Sequence, residues 1–401
     1  MSTAIDLSDP DTYLDGPPHE YLAELRATDP VHWQPTQSGG YWAILKHADV
    51  ETVARQPLLF SSAERGIVIE DLEGERLEQM RGMLLAMDPP KHRQVRKPLT
   101  PRLTPRAVSV LEAGIRDICN EIFDVVDGRI VGGNTEVEFV NELAAPLPTR
   151  VIGALMGLPR ADWEKVHHLA ERVTHGQDPD YAGEGGNAAT ATTEMGAYAY
   201  EFAISRVGQE PDGDGDLTDA LLAVMDPIAF ATLFVQLVTA GQDTTQTMLS
   251  SGLLALLDHP DQMQALRDDA KRIPAAVEEI VRWANPLHYF RRTAMKDTKL
   301  RDTLIRKGDA VAMYYTSCNR DEDVFADSQA FDITRSPNKH LSFGQAEHFC
   351  VGVHLARLEG RIFYEELLAR FSGIERADEP KRLRSNLNNS YKSVPVHLTR
   401  G

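Results

Sequence analysis

Between Asp226 and the His259-Pro260 pair the sequence reads as one long helix. Asp226 suits the N-cap, Pro227 suits the first turn, and Pro260 supplies the stop. At about 1.5 Å per residue such a helix is roughly 50 Å long, enough to cross a whole domain. Its first half is apolar nearly all round, so it belongs in the interior and the rest of the fold must be built around it. Its middle, "AGQDTTQ" (Ala240 to Gln246), is polar and poor in helix formers. A local inconsistency of that kind tends to mark function.

Most of the remaining chain also carries the helical period: "ALMGLPRADWEKVHHLAERV", "AAVEEIVRWA" and "HLARLEGRIFYEELLARF". Strand-like pieces are short and few, among them "GYWAILK", "TEVEFV", "AVAMYY" and "KSVPVHL". The expected fold is mainly α with small β-sheets. No repeat or low-complexity linker divides the chain, so residues 1–401 are expected to form a single domain. The Gly-rich stretch from His175 to Thr190 reads either as a boundary or as a loop over a site. "GQEPDGDGD", from Gly208, reads as a turn between helices.

The formal charge of -18 makes nucleic acid and anionic membranes poor partners. The N-terminus lacks the basic region and apolar core of a signal peptide, and the longest nearly apolar run is too short to span a bilayer. A soluble, cytoplasmic and monomeric protein is expected. Cys119, Cys318 and Cys350 are too few and too scattered for a disulfide framework or a four-ligand zinc site. Cys350 stands apart, because it lies in "HLSFGQAEHFCVG" with Gly344 and Gly352 on either side. It is either a buried free thiol or a thiolate ligand.

Four stretches together decide between those readings: "FGQAEHFCVG", "AGQDTT", "VEEIVRW" and "MDPPKHRQVRK". With them the chain resembles the cytochrome P450 family, the soluble bacterial haem-thiolate monooxygenases, over nearly its whole length. The resemblance implies a single-domain P450 fold, with haem b (iron protoporphyrin IX) between the long central helix and the Cys-ligand loop. Phe343, Gly344, His348, Cys350 and Gly352 match the family's haem-binding loop, with Cys350 as the metal ligand. A thiolate ligand pushes electron density onto haem iron and favours O–O cleavage, and nearby glycines let backbone amides approach the sulfur. Ala346 stands where the family usually has a second glycine. If that position needs a positive φ, alanine there costs about 1 kcal/mol or more.

Ala240 and Gly241 match the small residues that leave room for dioxygen beside the haem. Asp243 and Thr244 match an acid–alcohol pair that relays protons. Out of context they would be ordinary helix residues, with threonines bonding back to the preceding turn. Glu279 and Arg282 match a buried structural Glu-x-x-Arg pair, although an isolated i,i+3 ion pair is usually a surface contact. The family's further arginine is missing from "SQAF", where Ser328 and Ala330 stand instead, and Arg335 is a candidate substitute. His92, Arg96, Arg292 and His348 match residues that bind the haem propionates, which need cationic or hydrogen-bonding partners in an apolar pocket.

The function implied is monooxygenation of a hydrophobic small molecule: a terpenoid, steroid, fatty acyl compound or aromatic. The alternatives are a non-catalytic haem-binding or gas-sensing protein, and an oxidase acting on a carrier-tethered substrate. Asp243 and Thr244 argue against a peroxide-driven enzyme. Candidate substrate contacts are the segment Arg65 to Ala86, Leu237 and Val238, and the turn near Tyr391. If "LHYFRR" is extended, His288 and Phe290 share the face of Arg292 and line the pocket, with His288 as a polar handle. Its plainer alternative is a hydrogen bond to backbone. Lys91 to Arg106 contains six Lys or Arg residues and no acid, a basic island that suits docking of an acidic iron–sulfur ferredoxin served by its reductase.

Overall fold

The long helix spans Pro227–Asp258, and the Asp226 carboxylate accepts from the amides of Ile228 and Ala229 at 2.9 Å. The computed structural model of the 401-residue chain describes residues 5–37, 39–130, 133–181, 187–210 and 215–401. The first half of the helix buries Phe230, Leu233, Phe234, Val235 and Val238 against the helices Trp163–Thr174 and Ala188–Arg206. Its second half buries Met248, Leu249, Leu253 and Leu256 against the helices Ile273–Ala284 and Val353–Arg370. Each such Leu or Phe contributes roughly 1.5–3 kcal/mol of burial. Gly252 permits a close approach: a Cβ there would run into the hydroxyl of Tyr364, which donates to the Leu249 carbonyl at 2.8 Å.

The sheets flank this helical body. A five-stranded sheet runs in the order Val31–Thr36, Gly39–Ile44, Ala310–Tyr314, Tyr289–Ala294 and Phe60–Ser61. All its pairs are antiparallel except Gly39–Ile44 with Ala310–Tyr314. A three-stranded sheet places Pro395–Arg400 between Asn134–Glu138 and Phe371–Arg376. The short strands read from the sequence therefore find partners far along the chain.

One expected helix divides in two. "ALMGLPRADWEKVHHLAERV" contributes to helices Pro146–Leu155 and Trp163–Thr174, with a single 3-10 turn, Arg160–Asp162, between them. Gly157 takes φ +68° just past the first helix, and Pro159 follows, the usual end of a helix. Residues 182–186 of the Gly-rich stretch and 211–214 of "GQEPDGDGD" lie outside the described residues. Next to them, Asn187 caps the helix Ala188–Arg206, and Asp216 forms a capping box with Asp219 at Leu217–Leu222. Among the described residues no helix is long and apolar enough to cross a membrane.

Candidate active site

Cys350 lies where the loop after His340 meets the helix Val353–Arg370. The Cys350 amide donates to the Phe343 carbonyl at 2.8 Å, closing the loop on itself. Gly344 takes φ +69° and Ala346 φ +55°, so the alanine does occupy a left-handed position that glycine would hold without strain. Burial pushes the Cys350 thiol up, while a hydrogen bond from the Gly352 amide and the charges of Arg96 and Arg357 act the other way. Cys119 and Cys318 are core residues; burial pushes Cys119 to about 12 and Cys318 well above its ordinary value.

Cys350 opens into a cavity whose opposite wall is the central helix, through Leu237, Ala240, Thr244, Thr245 and Met248. Phe343, His348 and Val351 line the loop side; His92, Arg96 and Arg292 line the edge. Leu84, Leu85, Leu287 and Phe290 complete an apolar wall. Of the segment Arg65 to Ala86, only Leu84 and Leu85 reach this cavity.

The edge is a cluster of basic groups short of anions. His92 and His348 lie with ring centroids 4.5 Å apart, and the His348 Nδ1 is buried without a partner. The His92 Nδ1 lies 3.2 Å from Glu347. Arg96 reaches only the Glu347 carbonyl, at 3.4 Å, and Arg292 the Arg291 carbonyl, at 2.8 Å. Among the described residues, no carboxylate lies within ion-pairing distance of Arg96 or Arg292. Burial lowers both guanidinium groups and pulls His348 down to about 2, with Arg292, His92 and Arg96 adding repulsion. Two carboxylates at this edge would relieve that deficit, so the residues fit a haem whose propionates they would hold, with the Cys350 thiolate available as its ligand.

Asp243 and Thr244 diverge. Thr244 lines the cavity and its hydroxyl donates to the Ala240 carbonyl at 2.7 Å. Asp243 is buried and points the other way, with its carboxylate 2.7 Å from the His175 Nε2 and accepting from the Ser390 hydroxyl at 3.3 Å. Neighbours in a helix lie about 100° apart, so the two cannot face one point. Nothing in the sequence marks His175 or Ser390: a lone histidine after a helix and a serine in a C-terminal turn carry no pattern.

Behind the loop, Glu279 and Arg282 are buried and paired through 2.7 and 2.8 Å bonds. Arg335 does join them, its Nε 3.2 Å from Glu279. The carbonyls of Ser328 and Ala330 accept from Arg282 at 3.0 and 2.9 Å. The absent arginine is thus supplied five residues later in the chain.

Four expected contacts lie elsewhere. His288 sits at a bend before the strand Tyr289–Ala294, so the alternation that takes Phe290 and Arg292 to the cavity does not reach it. Its ring packs 4.2 Å from Tyr13 and its Nδ1 lies 2.8 Å from the Thr316 hydroxyl. Tyr391 lies in the Lys381–Arg382 hairpin, under the Arg382 guanidinium and accepting its Nη2 at 2.7 Å. Val238 packs in the helical core rather than along the cavity. A Cβ on Gly241 would face Ile152 at 3.9 Å, not the cavity.

The family model for cytochrome P450 matches residues 216–395. A methyl-branched lipid omega-hydroxylase of Mycobacterium tuberculosis is 36% identical over 391 residues, 94% of this chain and 90% of the relative. The chain belongs to the cytochrome P450 family. As a P450 it is a monooxygenase, an oxidoreductase whose haem is held by a cysteine thiolate. The linalool 8-monooxygenase of Pseudomonas putida is 35% identical to this P450 over 98% of both chains. A P450 of Mycobacterium marinum, solved in complex with pseudoionone, superposes with a TM-score of 0.90 at 35% identity, covering 98% of each chain. The single-domain P450 fold accounts for the long helix crossing above the cysteine loop.

Proposed function

We propose that this P450 hydroxylates a branched, aliphatic molecule of terpenoid or lipid type. The observation that carries this reading is the wall of Leu84, Leu85, Leu237, Leu287 and Phe290, where apolar contact dominates and few polar groups can orient a substrate. The similarity to a methyl-branched lipid hydroxylase and a linalool monooxygenase supports it. In the overall reaction, one oxygen atom enters a C–H bond and the other leaves as water, with two electrons and two protons consumed. Haem b, once bound, supplies the redox chemistry, and the thiolate push favours O–O cleavage.

In this proposal Cys350 ligates the iron, and His92, Arg96, Arg292 and His348 hold the propionates. Phe343, within the ligand loop, packs against the cofactor. The Thr244 hydroxyl is the proton donor at the cavity, and Asp243 exchanges protons with His175 and Ser390 on the other side of the helix. The P450 acts as a cytoplasmic monomer. Its electrons come from an acidic ferredoxin and its reductase, docked on the basic island. Lys91, Lys97 and Arg106 are exposed there, whereas Arg93 is engaged with Glu347 at 2.9 Å and Arg102 donates to the Gly215 carbonyl at 3.2 Å. Lys97→Glu therefore tests docking without breaking an internal contact, and should slow reduction more at low salt than at high salt.

Spectral titration of the ferric enzyme tests the substrate class. Linalool or a methyl-branched fatty acid should drive the haem from low to high spin at lower concentration than a steroid or a fused aromatic. Tighter responses to the aromatic, with none to branched compounds, would overturn this reading.

A further inference from the structure

On the helix Trp163–Thr174, His167 and His168 both reach Glu171, at spacings of four and three that place them on adjoining parts of one face. The Glu171 Oε2 lies 3.5 Å from the His167 Nε2 and 3.4 Å from the His168 Nδ1. Candidate ligand atoms of all three residues fall within 4.8 Å of one another. In a tetrahedral zinc site, bonds of about 2.0–2.1 Å put neighbouring ligand atoms roughly 3.3–3.4 Å apart. The two separations to Glu171 match that edge length, and the imidazole nitrogens lie within 4.8 Å of each other.

Charge and hydrogen bonding point the same way. Glu171 is buried, and among the described residues it meets no lysine or arginine within ion-pairing distance, only the two imidazoles. A buried carboxylate between two such rings lacks a fixed counter-charge, and a divalent cation would supply it.

The second observation comes from the central helix. Gln242 is 2% exposed; its side-chain nitrogen lies 2.7 Å from the His167 Nδ1, and its Oε1 is buried with no partner. Turning the amide over places that oxygen against Nδ1, where it accepts the ring proton and leaves the Nε2 lone pair free. A carbonyl holding the far nitrogen of a histidine is the usual support of a metal-bound ring. The site opens on a cleft of about 790 Å³ lined also by Thr149, Glu164 and Tyr181, which leaves the fourth position to water.

We propose that His167, His168 and Glu171 bind one zinc-class divalent cation, supported by Gln242 and separate from the haem pocket. The preference for zinc over magnesium follows from the two imidazole ligands.

The test uses the haem-loaded enzyme, stripped with a chelator, dialysed against micromolar zinc chloride and assayed for zinc and iron by atomic emission. The parent should hold one zinc per haem above the level retained by His168→Ala, and its melting temperature should rise with zinc. His168 is 63% exposed, so this variant should fold, which an unchanged carbon monoxide spectrum checks. Glu171→Gln should also lose the zinc, and Gln242→Leu should weaken it about 10–100-fold. His397→Ala, on the distant strand Pro395–Arg400, should leave it intact. Equal zinc uptake by the parent, His168→Ala and Glu171→Gln, or no zinc retained by the parent, would overturn the assignment.

Discussion

The His175 imidazole lies 2.7 Å from the Asp243 carboxylate, and both side chains are buried. His175 caps the helix Trp163–Thr174 and packs against Tyr181, so Asp243 is tied to the segment leading into the Gly-rich stretch. The Ser390 hydroxyl approaches the carboxylate from the C-terminal turn, and Thr247 lies 2.6 Å behind it. Asp243→Asn keeps the shape and removes the group that can exchange a proton. Turnover should fall about 100-fold, the lower part of the general acid–base range, with a larger solvent isotope effect and unchanged substrate affinity. His175→Phe leaves Asp243 held by Ser390 alone and should slow turnover less. Full turnover in Asp243→Asn would remove this residue from the proton path.

Thr244→Ala changes the cavity wall itself. Substrate should bind nearly as in the parent, while electrons drain into hydrogen peroxide or water instead of product. The ratio of product formed to reductant consumed measures this directly. An unchanged ratio would contradict the role given to the hydroxyl.

Arg335→Met tests the buried cluster behind the cysteine loop. Glu279 would keep Arg282 but lose a second cation, and loss of one partner of a buried pair costs about 3 kcal/mol. Denaturant unfolding of the haem-loaded protein should show that loss. A change below about 0.5 kcal/mol, ordinary for a surface site, would return Arg335 to a peripheral role.

The motifs that the sequence made legible are those confined to one stretch of chain. The cysteine loop, the central helix and the Glu279–Arg282 pair each sit within a few residues. Arg335 could be named because a missing partner leaves a charge to be satisfied. His175 and Ser390 could not, because Asp243 meets them across 68 and 147 residues of chain. Strand alternation misplaces His288 because one bend before Tyr289 breaks the two-residue period, and burial pulls it down to about 3, leaving it neutral. The break at Gly157 and Pro159 was readable, yet the apolar period on either side masked it.

Glu359, on the helix Val353–Arg370, gives a pH signature. Burial raises its carboxyl to about 8, from an ordinary value near 4.5, and its Oε2 has no partner. The folded protein therefore keeps a proton that the unfolded chain releases. Its contribution is constant below the unfolded value, declines by up to about 1.4 kcal/mol per pH unit between the two values, and levels above about 8. Glu359→Gln removes that decline, so the variant should gain stability over the parent as pH rises from 5 towards 8. Parallel melting profiles across that range would show that Glu359 ionises as freely folded as unfolded.

The central claim, thiolate ligation by Cys350, is tested most directly by the carbon monoxide difference spectrum of freshly reduced protein. The parent should show the strongly red-shifted Soret band for which the family is named. Cys350→His should retain haem but lose that band and the ability to hydroxylate, because imidazole pushes less electron density onto iron. A parent spectrum typical of histidine ligation, or a red-shifted band that survives Cys350→His, would contradict the account.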